Sequence, residues 1–266
     1  ASLISVEVDP LPAVIDLREA VKPGAPVIWD EIPDNRYFTF DWGDAEATEA
    51  AFRDAAHVVS IDLINARVIP NPIEPRVCVA LPEGDRLTLH ANHQKPHDLV
   101  KMMAPVIGIE PSCMRVISPD VGGGFGAKLF LYPEETVAAF LSLQLHAPLR
   151  WVGTRSEAML GDAHARDHAT HAELALDDDG TFLGLRADVL AALGGCVSSF
   201  APAIPTQYHA PACSGVYRIP AMAIAVHGVF TNTAPVDAYR GAGRPEAAYI
   251  IERLADTAAA RLGIDR

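Results

Sequence analysis

Apolar residues recur along this chain with two periods, and the places where one gives way to the other mark its elements. Asp44 is placed to cap a short helix over 45–55, after which 57–68 alternates as a strand does. Two more strands are expected at 76–81 and 86–91, joined by a Pro82-Glu83-Gly84-Asp85 turn. Leu99, Met103 and Val106 then follow helical spacing, Gly108 supplies the stop, and 113–118 is a short strand. A helix over 133–145 opens on Pro133 and carries Glu134 and Glu135 in its first turn, where the helix dipole favours acids. Residues 149–152 form the strand that follows.

In the second half, 170–176 and 181–193 flank Asp177-Asp178-Asp179-Gly180, a hairpin signal because glycine tolerates the positive φ of such a loop. A strand is expected at 224–232. The last helix, 245–262, has apolar residues at Ala247, Ile250, Ile251, Leu254, Ala258 and Leu262 and ends at Gly263. The pattern as a whole predicts an α+β fold of mixed, largely antiparallel sheets with packed helices. Residues 1–43, punctuated by Pro10, Pro12, Pro23, Pro26 and Pro33, read as a connecting segment. Residues 44–150 read as a first α+β lobe and 151–266 as a second.

Composition narrows the possible classes. Of 266 residues 50% are hydrophobic and 21% charged, yet stretches such as Val137-Ala138-Ala139-Phe140-Leu141 are far shorter than the roughly 20 residues of a spanning helix, so no membrane role is expected. A mean hydropathy of +0.15 argues against disorder. The net charge of −13 repels phosphate backbones and argues against nucleic acid as a partner. Residues 1–100 hold 17 acids against 8 bases and residues 101–266 hold 17 against 13, so an anion site is expected in the less acidic part. Cys78, Cys113, Cys196 and Cys213 form no C-x-x-C pair and read as mostly buried thiols. With no signal peptide at Ala1, the expected location is cytoplasmic.

Two glycine-rich loops share a layout. Asp120-Val121-Gly122-Gly123-Gly124-Phe125-Gly126-Ala127-Lys128 lies between an expected strand and helix, and Ala238-Tyr239-Arg240-Gly241-Ala242-Gly243-Arg244 follows a strand and directly precedes a helix. Backbone N–H groups freed at such turns can cradle an anion, and Lys128, Arg240 and Arg244 add positive charge; tight structural turns are the alternative. Gly122, Gly124 and Ala127 also fit the G-x-G-x-x-A spacing of a dinucleotide fold, but no clean acid ends the next strand at Arg150-Trp151-Val152. The phosphate-loop pattern of NTPases fails at Ala127 and Leu129. Two histidine groups, His90, His93, His97 and His164, His168, His171, have ligand-like spacing, but Pro96 and the strand after Asp167 break a shared helical face, and no metal ligation by side chains is expected. There is no G-x-S-x-G elbow.

With these loops in hand, the sequence resembles the molybdenum hydroxylases, the family that includes xanthine dehydrogenase, aldehyde oxidase and aerobic carbon monoxide dehydrogenase, and most of all the large subunits similar to the last. The resemblance covers nearly the whole chain. It rests on Gly122-Gly123-Gly124-Phe125-Gly126-x-Lys128 after Ser118-Pro119-Asp120, on Pro148-Leu149-Arg150 leading to Thr154-Arg155-Ser156-Glu157, and on Ala165-Arg166-Asp167-His168 and Thr231-Asn232. Ala238 to Ala247 and Ile251-Glu252-Arg253-Leu254 complete the series.

The resemblance implies the first molybdenum-cofactor-binding domain of such an enzyme, with molybdopterin, in its cytosine dinucleotide form, holding molybdenum, and hydroxylation of an aldehyde or N-heterocycle by water. It implies Gln94 as a hydrogen-bond donor to the metal's oxo group, an amide suiting this role because it donates without charge. Gly123, Gly124, Phe125 and Gly126 would face the cofactor from the first loop, and Arg240, Gly241 and Ala242 from the second, with Gln94 and Arg240 serving the reaction itself.

Its departures bear on substrate. Purine-oxidising members carry Glu and Phe where this chain has Leu129 and Ala242, and copper in carbon monoxide oxidation is bound by a cysteine where Gly241 stands. The family's catalytic glutamate belongs to a later domain, so the chain is expected to be a fragment or split subunit, inactive alone. Expected partners are the remaining molybdenum-binding domain or subunit, an iron–sulfur subunit and an FAD subunit, with a small-molecule substrate. The alternatives are a non-catalytic binding or assembly module of the same fold, or a carbon monoxide dehydrogenase-like subunit.

Overall fold

The structure, a computed structural model, describes residues 4–265. Residues 1–3 of the expected connector and Arg266 of the second lobe lie outside the described residues. The chain runs α1 (Leu17–Ala20), β1 (Arg36–Gly43), α2 (Ala45–Asp54), β2 (His57–Asn65), β3 (Val77–Glu83), β4 (Arg86–Ala91), α3 (Pro96–Ile107), β5 (Met114–Ile117), α4 (Pro133–Leu145), β6 (Leu149–Val152), α5 (Arg155–Gly161), β7 (His168–Leu176), β8 (Phe182–Gly194), β9 (Ala221–Phe230) and α6 (Arg244–Leu262). The fold is α+β, with two mixed, largely antiparallel sheets.

The five-stranded sheet has the order β1-β9-β8-β7-β2, and only β8 and β9 run parallel. Ala247, Ile250, Ile251, Leu254 and Ala258 line one side of α6 and are buried in the core shared with β2, β7, β8 and β9. The four-stranded sheet has the order β5-β4-β3-β6, with β4 and β5 parallel. Its core joins Cys78, Ala80, Leu87 and Leu89 to Leu99 and Met103 of α3 and Ala138 and Ala139 of α4. Pro96 and Pro133 open these two helices, and Gly108 at φ 78° and His146 at φ 49° close them. Among the described residues no helix is long and apolar enough to cross a membrane.

The sheets do not follow the boundaries read from the sequence. Inside the expected connector 1–43, β1 is the edge strand of the five-stranded sheet, and β2, from the expected first lobe, pairs with β7. The chain therefore crosses between sheets after β2 and returns after α5. The two crossing segments bridge each other at Val68 and Ala165, through N–H to carbonyl bonds of 3.0 and 2.9 Å. Two of the four thiols, Cys78 and Cys213, are buried, whereas Cys196 is exposed. A four-stranded sheet with one parallel pair is not a dinucleotide fold, which needs a parallel sheet whose first turn feeds a helix.

Candidate cofactor site

The two glycine loops come from different sheets, one following β5 and the other β9, and they meet at the crossing. The Arg240 N–H donates to the Phe125 carbonyl at 2.9 Å. A Cβ on Gly126, whose φ is +107°, would lie 2.3 Å from the Ala238 oxygen, so glycine is what lets the two backbones touch. Gly126→Ala is accordingly expected to cost about 2–4 kcal/mol in denaturant unfolding, combining steric overlap with an unfavourable φ. Gly24→Ala, at φ +81° with nothing within 4 Å of the added carbon, should cost only about 1 kcal/mol. Equal losses for the two would argue against the loop contact.

Gln94 joins the same cluster. Its N–H donates to the Lys128 carbonyl at 2.7 Å, and its Oε1 accepts from the N–H groups of Gly126 and Lys128 at 3.0 and 3.2 Å. With the amide oxygen used inward, the exposed side chain is left with an Nε2 that has no partner among the described residues. Gly124 lies beneath it, and a Cβ there would sit 2.4 Å from Oε1 and displace the amide. The preceding residue, His93, is buried; its Nδ1 accepts from the Lys95 N–H at 3.0 Å, so Nε2 carries the proton and faces the Phe130 carbonyl at 3.3 Å. Burial lowers the pKa of His93, so it is a neutral structural histidine.

Several donors at this junction are unused. The N–H groups of Gly124, Phe125, Gly241 and Gly243 make no hydrogen bond among the described residues, and Gly124 and Gly243 are buried. Phe125 adopts φ 53°, rare for an L residue, and is 46% exposed. Arg240 is exposed, and its guanidinium has no partner among the described residues. Gly123, at φ +92°, has room for a Cβ only at 3.2–3.3 Å from Phe125 and Pro72. Gly241 and Ala242 form the tip of the second loop, closed by the Ala242 N–H on the Tyr239 oxygen at 2.8 Å.

Not every residue marked in the sequence is available to a ligand. Lys128, expected to offer positive charge, is 1% exposed and its Nζ is held 2.8 Å from Glu74, whose carboxylate also accepts from the Gly122 N–H at 2.7 Å. An ammonium cannot stay buried without an anion. Arg244 likewise turns back, donating to the Ala242 carbonyl at 3.1 Å and lying over the Tyr208 ring. Of the two histidine groups, His164 faces the Met159 carbonyl, His168 is buried against His209, and His171 pairs with Asp62. Among the described residues no group of three or more His, Cys, Asp or Glu is placed to hold a metal ion.

The supports of the site were the part not foreseen. Glu74 neutralises Lys128, and Asp237, buried, accepts from the N–H groups of Phe200 and Ala238 at 2.9 and 2.6 Å, setting the entry to the second loop. Thr154-Arg155-Ser156-Glu157 is a capping box, with Glu157 accepting from the Thr154 N–H at 2.7 Å. Its Arg155 clamps Asn71 and the Pro72 and Ile73 carbonyls, the loop packed against Gly123. The S/T-x-x-E spacing was a readable signal for the cap; nothing local points to the clamp. A groove of about 410 Å³ over the five-stranded sheet, lined by Trp42, Glu49 and Arg186, includes no residue of either glycine loop.

Residues 28–266 match the family model of the molybdopterin cofactor-binding domain. The chain is 39% identical over 282 residues to the carbon monoxide dehydrogenase large chain of Hydrogenophaga pseudoflava, covering 99% of this chain and 35% of that one. It is 34% identical over 274 residues to the nicotine 6-hydroxylase large subunit of Paenarthrobacter nicotinovorans, covering 98% and 32%. The solved structure of quinoline 2-oxidoreductase from Pseudomonas putida 86 superimposes with a TM-score of 0.90 at 32% identity, over 99% of this chain and 34% of that one. The chain thus spans about a third of the length of each of these three proteins.

Proposed function

The chain belongs to the molybdopterin cofactor-binding domain family, and we propose that it forms one wall of the cofactor cleft of a molybdenum hydroxylase that hydroxylates an N-heterocycle or an aldehyde with oxygen from water. The observation that carries this reading is the junction itself: two glycine loops locked by the Arg240 to Phe125 bond, with Gln94 seated on the first. The residues fit the group. Gly124 and Gly243 are buried and their N–H groups have no partner among the described residues, Gln94 offers an uncharged amide donor, a side chain at Gly124 would displace the Gln94 amide, and one at Gly126 would meet the Ala238 backbone. Anionic and oxo oxygens are what such donors lack.

Molybdopterin with molybdenum, when bound, supplies the two-electron oxidation of the substrate carbon. The chain's part is to hold and orient. Gln94 Nε2 donates to an oxo oxygen, the free N–H groups of the two loops bind anionic oxygens, and the exposed Arg240 supplies compensating charge. The Phe125 ring shields this surface from water, while Gly241 and Ala242 leave space for substrate. The catalytic glutamate lies outside this chain, the pterin is the cytosine dinucleotide form, and electrons leave through iron–sulfur and FAD centres on partner chains. Exposed Val137, Phe140, Leu141 and Leu145 on α4 are apolar surface on which further protein can pack. The relatives named for nicotine and quinoline support a heterocyclic substrate, and Gly241 offers no thiol for copper.

The test compares the isolated chain with the complete enzyme. The complete enzyme is expected to hold about one molybdenum per large subunit and to place label from ¹⁸O-water in a hydroxylated heterocycle or a carboxylic acid product. The isolated chain is expected to retain little molybdenum, because a cleft with one wall missing binds weakly. Stoichiometric molybdenum in the isolated chain would overturn the one-wall reading, and label entering only carbon dioxide made from carbon monoxide would overturn the substrate class.

A further inference from the structure

Arg166 stands behind the second loop and has no role so far. It and Asp167 adopt φ 64° and 65°, a pair of left-handed non-glycine residues at the return crossing between the sheets. Asp167 is held there by Arg67, Nε to Oδ2 at 2.8 Å, and its N–H donates to the Asn65 carbonyl at 2.9 Å. This turn sends the Arg166 side chain under residues 239–246. Its Nη1 reaches Glu246 Oε1 at 2.9 Å and the Tyr239 carbonyl at 3.4 Å, and its Nη2 donates to the Arg240 carbonyl at 3.0 Å. Glu246 is fully buried on the first turn of α6, and its Oε2 has no hydrogen-bond partner among the described residues.

A trans peptide is planar, so its carbonyl and the following N–H point in opposite directions, and this chain has no cis peptide among its described residues. The Tyr239 carbonyl turned toward Arg166 therefore aims the Arg240 N–H the other way, and that N–H is the one that closes on Phe125. By the same geometry the Arg240 carbonyl on Nη2 aims the Gly241 N–H away from Arg166, and that N–H is unused. The planar fork of one guanidinium thus sets two successive peptides, the first joining the loops and the second leaving a donor outward.

We propose that Arg166 is a positioning residue: by holding the Tyr239 and Arg240 carbonyls it presents the Gly241 N–H to an oxygen of the bound cofactor. This rests on the cofactor reading above. Glu246 compensates the buried charge and fixes the fork, and Arg166 touches neither cofactor nor substrate.

The test uses the complete enzyme and three readouts: melting temperature, the rate at which pterin is lost on dilution, read by fluorescence of the released pterin, and kcat and KM separately. Arg166→Lys keeps a cation beside Glu246 but has one nitrogen in place of the planar fork that reaches the Tyr239 and Arg240 carbonyls from two. It is expected to melt near the wild type, to lose pterin about 10- to 100-fold faster, as changes behind metal ligands do, and to lower kcat while KM holds. Should this variant not fold, Arg166→Gln with Glu246→Gln removes both charges together and takes its place. Unchanged pterin loss in a folded variant overturns the proposal, as does a lowered melting temperature with unchanged pterin loss. A wild-type enzyme that holds no pterin overturns the cofactor reading itself, so the two failures are distinguishable.

Discussion

Gln94→Ala in the complete enzyme is expected to lower turnover about 100-fold, the effect of removing one preorganised donor to a developing negative oxygen. The alanine also strips the acceptor that holds the Gly126 and Lys128 N–H groups, bonded to Gln94 Oε1 at 3.0 and 3.2 Å. Two effects are therefore mixed in that variant, and Gln94→Glu separates them. A glutamate keeps an oxygen for both backbone donors but has no N–H to offer, so a similar loss of turnover with full molybdenum content assigns the effect to donation. Turnover restored by Gln94→Glu would assign it to loop geometry, and unchanged turnover in both variants with full molybdenum would remove Gln94 from the reaction.

Arg76→Met is expected to have the largest effect on stability, on the order of 3–5 kcal/mol, because it strands buried carboxylates without their cation. Arg76 is 3% exposed just before β3, with Nε 2.7 Å from Asp162, a two-pronged contact at 3.2 Å to Glu134, and Glu135 at 3.7 Å. The guanidinium lies 3.6 Å over the Tyr132 ring, whose hydroxyl donates to the Ala127 carbonyl of the first glycine loop at 2.8 Å. Thermal unfolding should move down by roughly 10 °C for a chain of this size. A fall within a degree or two would show that the cluster relaxes or hydrates.

The same cluster sets a pH dependence. Burial pushes the Glu135 carboxyl up to about 7, opposed by Arg76 and reinforced by Glu134 and Asp162, and its buried Oε2 has no hydrogen-bond partner among the described residues. The folded chain then holds a proton that the unfolded chain releases near its ordinary value of 4.5, so this group costs stability progressively as pH rises from about 4.5 to above 7. Glu135→Gln is the control: it should be more stable than the parent at pH 8 and indistinguishable from it at pH 4.5. The reverse order would mean that Glu135 is ionised and satisfied by Arg76.

Much of the local structure was readable. The helices at 133–145 and 245–262 emerge as α4 and α6, and the hairpin signal at 177–180 joins β7 to β8, because proline starts, glycine stops and apolar periodicity act within a few residues of one another. Strand β1 was not. Phe38, Phe40 and Trp42 do alternate with Thr39 and Asp41, but the prolines upstream give the segment the look of a connector, and its pairing with β9 is made only once the rest of the sheet exists. The parallel pairing of β8 with β9 is equally invisible, since the segment between them crosses over without periodicity.

The candidate site divides along the same line. Both glycine loops and Arg240 stood out in the chain, because glycine clusters with basic flanks are a local signal, whereas Gln94 was marked only through the family resemblance. Which charges remain for a ligand was settled in three dimensions: Lys128 finds Glu74 across 54 positions, and Arg166 finds Glu246 across 80 and the Arg240 carbonyl across 74. A buried cation takes whichever anion packing brings to it, and no spacing rule encodes that choice. Glycine patterns thus announce where a donor cradle is built, whereas its partners and the direction of its N–H groups follow from two sheets meeting at one crossing.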